Sequence, residues 1–168
     1  MSAVRSEIAS RSGGAPSLRV MTVSQLDAVL AIEVEAYPFP WTRGNFIDSL
    51  AAGYLMRVLQ AADGEVLGYF VAMPGFEEMH LLNITVAAAH EGRGHARAML
   101  ASLYELCEPY GASALWLEVR ESNARARALY LREGFDEAGR RRDYYPAPQG
   151  RREDAVLMTR LLASGDGA

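Results

Sequence analysis

The chain has 168 residues, of which 50% are apolar and 23% charged, and this is the composition of a globular protein rather than of a disordered one. Its formal net charge is −4, with a pI near 5.4, which argues against a general nucleic-acid-binding protein because such proteins carry a basic excess. No stretch approaches the roughly 20 apolar residues of a membrane span, and the first residues lack the apolar core of a secretory signal. We therefore expect a cytoplasmic protein without direct contacts to nucleic acid or membrane.

In chain order, the first strand begins at Leu18, and a helix follows whose start Ser24 is placed to cap. The proline-rich segment 38–41 forbids regular structure, because proline lacks an N–H group and restricts the residue before it. Thr42 is placed to cap a second helix, which Gly53 ends.

An Asp-Gly pair at residues 63–64 stands between two strand-like runs and predicts a hairpin. A strand over 78–86 then leads into a glycine-containing turn and a long helix that stops near Pro109. A strand over 113–120 precedes a short helix with Gly134 just past its end, and two further strands close the chain. The predicted order is β-α-α-β-β-β-α-β-α-β-β, which indicates an α/β (α+β) architecture around one mixed sheet.

The two ends of the chain differ in composition from its middle, being small, polar and rich in Ser, Ala and Gly. We expect a flexible leader over 1–17, one folded domain over 18–163 and a flexible tail over 164–168. Cys107 is the single cysteine, so no internal disulfide is possible. It falls in a predicted helix with no histidine close in sequence, which favours a core thiol over a nucleophile.

The glycine turn holds Gly92 and Gly94 between a strand and the long helix. The N–H groups at a helix start have no intrahelical partners, and the helix dipole adds a positive field, so phosphate binds there readily. Arg93 and Arg97 add positive charge. The turn lacks the Lys-Ser/Thr pair of a Walker A loop and the third glycine of a Rossmann fingerprint. An ordinary tight turn with solvated arginines therefore remains the alternative.

Side chains alternate across the strand "LWLEVR". One face carries Leu115, Leu117 and Val119, and the other carries Trp116, Glu118 and Arg120. A carboxylate in the middle of a strand beside a tryptophan is costly to bury unless it forms an ion pair or has a functional role. Glu118 is therefore either a functional group or the partner of Arg120 on a solvated face.

The short helix after this strand carries Asn123 and Tyr130 seven positions apart, which is about two turns, so both side chains lie on one side. Ser122 or Asn123 can cap the helix. An amide at the helix mouth and a phenol two turns further on could line a groove beside Glu118. Core packing is the alternative explanation for Tyr130, because tyrosine often buries its ring and keeps its hydroxyl wet.

Two long segments, "ITVAAAHEGRGHARAML" and "LWLEVRESNARARALYLREGF", together resemble the GCN5-related N-acetyltransferase (GNAT) superfamily. Within it the chain is most similar to the RimI-type alanine N-acetyltransferases of ribosomal proteins, through "EAYPFPWTRGNF", "LLNITV" and "RRRDYYPAPQGRREDAVLM" as well. These segments extend over residues 35–158. The resemblance implies a single-domain GNAT fold, a mixed central sheet with helices on both faces, and acetyl-CoA as donor.

The resemblance also implies a set of site residues. Glu118 corresponds to the general base and Tyr130 to the general acid. The acetyl-CoA contacts correspond to strand residues, turn residues and a helix start, namely Ile84, Thr85, Val86, Gly92, Arg93, Gly94, His95, Ala96, Arg97 and Asn123. No metal is required. His80, His90 and His95 receive no catalytic role.

One position departs from the usual turn, which begins with Gln or Arg where this chain has Glu91. A carboxylate pointing at a pyrophosphate would be unfavourable. Because backbone N–H groups do most of the holding, we expect Glu91 to point away and to lower acetyl-CoA affinity only modestly.

The implied substrate is the N-terminal alanine of a small-subunit ribosomal protein, the eighteenth, whose start is basic. Acidic and aromatic side chains that could receive it are Glu35, Glu77, Glu78, Asp154, Phe39, Trp41, Tyr144 and Tyr145, with solvated charges and core aromatics as the alternative. Other possible functions are acetylation of other protein N-termini or of a small-molecule amine, acyl-CoA sensing without turnover, and a nucleotide-dependent reaction. The missing motif elements disfavour the last of these.

Overall fold

A computed structural model describes residues 14–163 of the chain. Over these residues the elements follow the predicted order β-α-α-β-β-β-α-β-α-β-β. They are β1 (Ser17–Val20), α1 (Leu26–Ala36), α2 (Arg43–Ala51), β2 (Leu55–Gln60), β3 (Val66–Pro74), β4 (Glu78–Val86), α3 (His95–Cys107), β5 (Ala114–Arg120), α4 (Ala124–Arg132), β6 (Asp136–Pro146) and β7 (Arg152–Leu161). The predicted tail over 164–168 lies outside the described residues, as does the predicted leader except for residues 14–17.

The seven strands form one sheet in the order β1-β2-β3-β4-β5-β7-β6. Strand β4 pairs with β5 in parallel, whereas β1–β2, β5–β7 and β6–β7 are antiparallel. The prediction of a mixed sheet is therefore confirmed. Parallel strands need a long crossover connection, and α3 lies in the one between β4 and β5.

The described residues divide into two compact units. The first runs to Val71 and also includes Asn83–Met99, so it contains β1, β2, α1, α2 and the start of α3. The second contains Ala72–Leu82 and the described residues from Leu100 onward, and thus β5, α4, β6 and β7. Strands β3 and β4 each contribute to both units.

Helix α1 starts differently from the prediction, because Ser24 is not its cap. A 3-10 turn over Val23–Gln25 precedes α1, and Thr22 stands before that turn. The Thr22 N–H donates to Oε1 of Gln25 at 2.8 Å. This bond completes a capping box between two residues that are three positions apart. Ser24 lies inside the turn, where its hydroxyl hydrogen-bonds that of Thr22.

The remaining predicted boundaries are confirmed where turn chemistry fixes them. Thr42 caps α2 by accepting from the Asn45 N–H at 3.2 Å. Gly64 has φ 92° and its N–H donates to the Ala61 carbonyl at 2.9 Å, as the hairpin requires. Gly134 follows α4 with φ 88°.

Close backbone packing explains a glycine inside β3. A Cβ atom at Gly68 would lie 2.7 Å from the carbonyl oxygen of Thr85 and 3.0 Å from Cε of Met99. Any side chain at this position would therefore push against the end of β4. None of the helices between residues 14 and 163 combines the length and the apolar character that crossing a membrane requires.

Candidate active site

The alternation predicted for β5 is confirmed. Leu115, Leu117 and Val119 are buried, and the residues between them are half-buried. Strand β5 pairs with β7 along its whole length, whereas its ladder with β4 ends at Leu117. Glu118 is the first residue of β5 beyond the ladder with β4.

The carboxylate of Glu118 is enclosed, since its side chain is only 8% exposed. Its Oε1 atom lies 3.1 Å from Nε of Arg141 on β6. Burial raises the pKa of the nearby Tyr144 phenol, and the charge of the Glu118 carboxylate raises it further. The predicted alternative, a pair with Arg120 on a solvated face, does not describe this carboxylate, because it is enclosed and lies against Arg141 of β6.

Arg120, the next residue on the same face of β5, contacts groups at the end of β6 and the start of β7. Its guanidinium donates to Oε1 of Glu153 at 2.8 Å and to the Pro146 carbonyl at 2.7 Å. It also lies 4.5 Å from the ring centroid of Tyr145, whose pKa is raised to about 12, mainly by burial. The Tyr144 and Tyr145 rings are 5.0 Å apart and nearly perpendicular. The charge of Glu118 raises the pKa of both tyrosines, which therefore lie near it, and their role as walls of a substrate slot stays a prediction.

His80 and Trp116 form a stacked pair on the same unit. The β4–β5 register places them opposite each other, and their rings lie 3.5 Å apart with 11° between the planes. Within residues 14–163, neither Nδ1 of His80 nor Nε1 of Trp116 has a hydrogen-bond partner, although both atoms are buried. Burial lowers the pKa of His80, and Glu118 acts in the opposite direction. The sequence offered no signal for this stack, because it depends on the register.

Helix α4 carries the two other residues predicted for this part of the site. Asn123 is the N-cap, and its side-chain oxygen accepts from the Ala126 N–H at 3.2 Å. Tyr130 is 7% exposed and its ring centroid lies 5.5 Å from that of Phe135. Core packing therefore accounts for the ring of Tyr130, while its role as an acid stays a prediction.

The first unit contains the predicted acetyl-CoA contacts on β4 and in the glycine turn. The β4–β5 ladder covers Glu78–Leu81 of β4, so the backbone of Ile84–Val86 lies outside that ladder. The Tyr37 hydroxyl donates to the Ile84 carbonyl at 3.3 Å and hydrogen-bonds the Thr85 hydroxyl at 2.7 Å. Burial raises the pKa of Tyr37, which keeps this phenol neutral. The end of β4 is thereby fixed to the chain after α1.

A buried carboxylate that the sequence reading missed organises this end of β4. Glu33 on α1 is 1% exposed and accepts from the Tyr69 hydroxyl, from Nδ2 of Asn83 at 3.2 Å and from the Trp41 N–H at 3.1 Å. Oδ1 of Asn83 in turn accepts from the Thr85 hydroxyl at 2.8 Å. The sequence gives no sign that Glu33, one of two glutamates on this helix, is the buried one.

The glycine turn has the conformation that its residues predict. Gly92 and Gly94 have φ values of 76° and 79°, and a Cβ at either would meet no atom within 4 Å. The glycines are therefore required by backbone conformation, and the surface they form is open. An Arg93 guanidinium nitrogen lies 3.3 Å from Nδ1 of His90. Glu91 is exposed, and its effect on acetyl-CoA stays a prediction.

Several other predicted residues also have defined positions. Glu35, Glu77 and Glu78 are exposed, as is Phe39, whereas the Asp154 carboxylate accepts from the Asp143 N–H at 3.0 Å. Cys107 is fully buried, and burial raises the pKa of its thiol to about 11, so the prediction of a core thiol is confirmed. Among the described residues, no group of three or more His, Cys, Asp or Glu could hold a metal ion.

Comparison with known proteins identifies relatives along most of the chain. Residues 26–135 match the model of the acetyltransferase (GNAT) family. The ribosomal protein bS18-alanine N-acetyltransferase of Salmonella typhimurium is 38% identical over 142 residues, which is 84% of this chain and 95% of that protein. The same-named protein of Escherichia coli (strain K12) is 38% identical over 138 residues, or 82% and 92% of the two chains.

A solved structure is similar over nearly the same length. The crystal structure of the ribosomal-protein-S18-alanine N-acetyltransferase from Escherichia coli superposes with a TM-score of 0.81 at 35% sequence identity, covering 91% of this chain and 98% of that one. At this similarity, both the element order and the sheet described above are those of that fold.

Proposed function

Because the chain belongs to the GNAT family of acetyltransferases, we propose that it acetylates the N-terminal alanine of the small-subunit ribosomal protein bS18. The chain is an acetyl-CoA-dependent N-acetyltransferase. The substrate is carried over from relatives with 38% identity that cover at least 82% of the chain. The observation in the structure that best supports the proposal is the enclosed Glu118 carboxylate, which lies 3.1 Å from the Arg141 guanidinium.

The residues of the glycine turn suit the diphosphate of acetyl-CoA. The first N–H groups of α3 have no intrahelical acceptors, and they follow an open turn with two glycines in the left-handed conformation. In the proposal, the N–H groups of Gly92–Arg97 and the cations of Arg93 and Arg97 hold the phosphates. Backbone groups of Ile84, Thr85 and Val86 hold the arm that carries the acetyl group, and Asn123 provides a further contact.

Glu118 acts on the amine in the proposed mechanism. An α-amino group has a reference pKa of about 7.7–8.0, so at neutral pH most of it is protonated and unreactive. Glu118 takes a proton from the amine, directly or through a water molecule, which leaves the nitrogen lone pair free to attack. General base catalysis of this kind contributes roughly 10²–10⁴-fold to the rate.

The other two groups act on the thioester. When bound, acetyl-CoA supplies a thioester carbonyl that the amine attacks, so that a C–N bond forms and the C–S bond breaks. The Val86 N–H donates to the carbonyl oxygen as negative charge develops there. The Tyr130 hydroxyl donates a proton to the departing sulfur. The nitrogen loses its second proton as the amide forms, and a proton from water restores the Tyr130 hydroxyl, so that the net release is the one proton that Glu118 took from the ammonium group and passes to solvent.

The test is an assay with acetyl-CoA and a short peptide beginning Ala-Arg, followed by thiol release and peptide mass. We expect a mass gain of one acetyl group at the N-terminus, and none on a peptide whose N-terminus is already blocked. Glu118→Gln and Tyr130→Phe should each lose at least about 10²-fold in kcat. Glu105→Gln and Tyr110→Phe change exposed residues of the same types and should keep full activity.

Other results would select among the remaining functions. Turnover of a small amine or of peptides that begin with residues other than alanine, without turnover of the Ala-Arg peptide, would contradict the ribosomal substrate. Binding of acetyl-CoA without turnover of any amine would favour an acyl-CoA sensor. Full activity in Glu118→Gln would reject this residue as the base.

A further inference from the structure

Arg141 approaches the enclosed Glu118 carboxylate from the solvent side. The two side chains differ sharply in exposure, at 54% for Arg141 and 8% for Glu118, although their atoms are 3.1 Å apart. Enclosing a carboxylate is costly unless a cation or hydrogen-bond donors compensate it, and Arg141 is the cation that does so here. The carboxylate cannot move far within β5, whereas a half-exposed arginine can leave.

A second contact holds the arginine without enclosing it. The guanidinium carbon of Arg141 lies 5.6 Å from the ring centroid of Tyr144, which is itself half exposed. At exposed sites such a cation–π contact is weak. The pairing of β6 with β7 is irregular directly after Arg141, where the register shifts before Tyr145. Arg141 is thus attached at the edge of a regular ladder.

The neighbouring Arg140 provides a useful comparison. Its guanidinium lies 2.7 Å from a carboxylate oxygen of Glu121, and both of these side chains are more than two-fifths exposed. That pair is an ordinary surface ion pair, of the kind that contributes little to stability. Arg141, in contrast, contacts a carboxylate to which function has been assigned above. The difference indicates that Arg141 affects the reaction rather than only the surface charge.

Glu118 has two possible partners, the guanidinium of Arg141 and the α-ammonium group of the substrate, and both have the same chemistry. A guanidinium and an α-ammonium are both cations that offer N–H donors and no acceptor. A general base must come within hydrogen-bond reach of the proton that it takes. The amine of the substrate therefore needs the place beside Oε1 of Glu118 that a nitrogen of Arg141 takes here.

We propose that Arg141 occupies the position of the substrate's α-amine in the free protein, and that the amine displaces it from Glu118. This inference rests on the proposed function of Glu118. Arg141 is then a specificity-determining residue, because a ligand enters only if it replaces a guanidinium with an equivalent cation. An acetylated N-terminus has no charge to offer and does not displace Arg141, so the product leaves as the arginine returns.

The test is a KM-against-kcat comparison on the Ala-Arg peptide at saturating acetyl-CoA. Arg141→Met keeps an unbranched apolar stem but removes the guanidinium, and with it the charge and the N–H donors. Because the competitor is gone, we expect the peptide KM to fall about three- to tenfold while kcat changes by less than about twofold. Arg141→Lys keeps a cation with N–H donors and should lie between Arg141→Met and the wild type.

Arg142→Met is the matched control, since it removes the same charge from the exposed neighbouring residue. Its peptide KM should stay within about twofold of the wild type, which excludes general attraction of a basic peptide as the cause. A lower kcat with unchanged KM in Arg141→Met would make Arg141 a support for Glu118 and overturn the inference. A higher KM, or no change in either constant, would overturn it too. Absence of turnover in the wild type would instead contradict the proposed function itself, and the inference with it.

Discussion

Removal of the buried carboxylate of Glu33 should destabilise the protein strongly. Glu33 is 1% exposed, and its two oxygens accept from the Tyr69 hydroxyl, from Nδ2 of Asn83 and from the Trp41 N–H. Burial and then Glu33 raise the pKa of Tyr69, so this phenol remains a donor. In Glu33→Ala, all of these donors lose their acceptor in a site that is closed to solvent.

The size of the effect follows from the donors that are left unpaired. Each buried donor without an acceptor costs about 1–3 kcal/mol, and because neighbouring losses are not additive we expect about 3–5 kcal/mol for Glu33→Ala. Glu33→Gln keeps one oxygen for Trp41 and Asn83 and places an amide against Tyr69. The Tyr69 hydroxyl can turn to accept from that amide, so this variant should lose only about 1–2 kcal/mol.

Urea unfolding, followed by circular dichroism, measures both variants. A chain of this size loses about 1–3 kcal/mol of unfolding free energy per molar urea, so Glu33→Ala should lower the midpoint by at least about 1 M. Glu35→Gln on the same helix is the control, since Glu35 is exposed, and it should stay within about 0.5 kcal/mol of the wild type. A loss below about 1 kcal/mol in Glu33→Ala, or equal losses in the Ala and Gln variants, would refute this reasoning.

Two further predictions concern Cys107 and His80. Because burial raises the pKa of the Cys107 thiol to about 11, the native protein near pH 8 should react with a disulfide reagent far more slowly than the protein in urea, and equal rates would contradict an enclosed thiol. Burial lowers the pKa of His80 from 6.5 despite the opposing carboxylates of Glu118 and Glu78, with Arg141 the nearby cation. The folded protein then binds fewer protons than the unfolded one, so the free energy of unfolding should fall as the pH drops below about 6.5. His80→Phe keeps a ring on Trp116, and between about pH 7.5 and 5.5 it should lose less stability than the wild type in urea unfolding; equal losses would count against the prediction.

Local chemistry explains why most of the fold was predictable. The order of elements depends on the side-chain period and on residues that end helices and strands, such as Thr42, Gly64 and Gly134, and these act over a few positions. The prediction that Ser24 caps α1 was wrong for a reason that is also local. Thr22 and Gln25 form the capping box two residues earlier, and a 3-10 turn before α1 gives no distinct sequence period.

The partners within the candidate site were not predictable, because they depend on contacts that are distant in sequence. Arg141 reaches Glu118 across strand β7, which lies between β5 and β6 in the sheet. Tyr69 and Asn83 reach Glu33 from 36 and 50 residues away. The sequence placed a carboxylate in the middle of β5 and indicated its chemistry through a family resemblance, but not which cation binds it. Strand order and register decide such pairs.

A comparison of the two enclosed glutamates shows why only one of them suits the proposed role of general base. The donors of Glu33 include a backbone N–H and the buried groups of Tyr69 and Asn83, so none of them can leave without local unfolding. The cation at Glu118 is a half-exposed side chain that can turn into solvent while the strand stays in place. A general base must exchange one hydrogen-bond partner for another in each turnover. Glu33 is therefore restricted to holding the structure, whereas Glu118 has a partner that can be replaced, as its proposed role as general base requires.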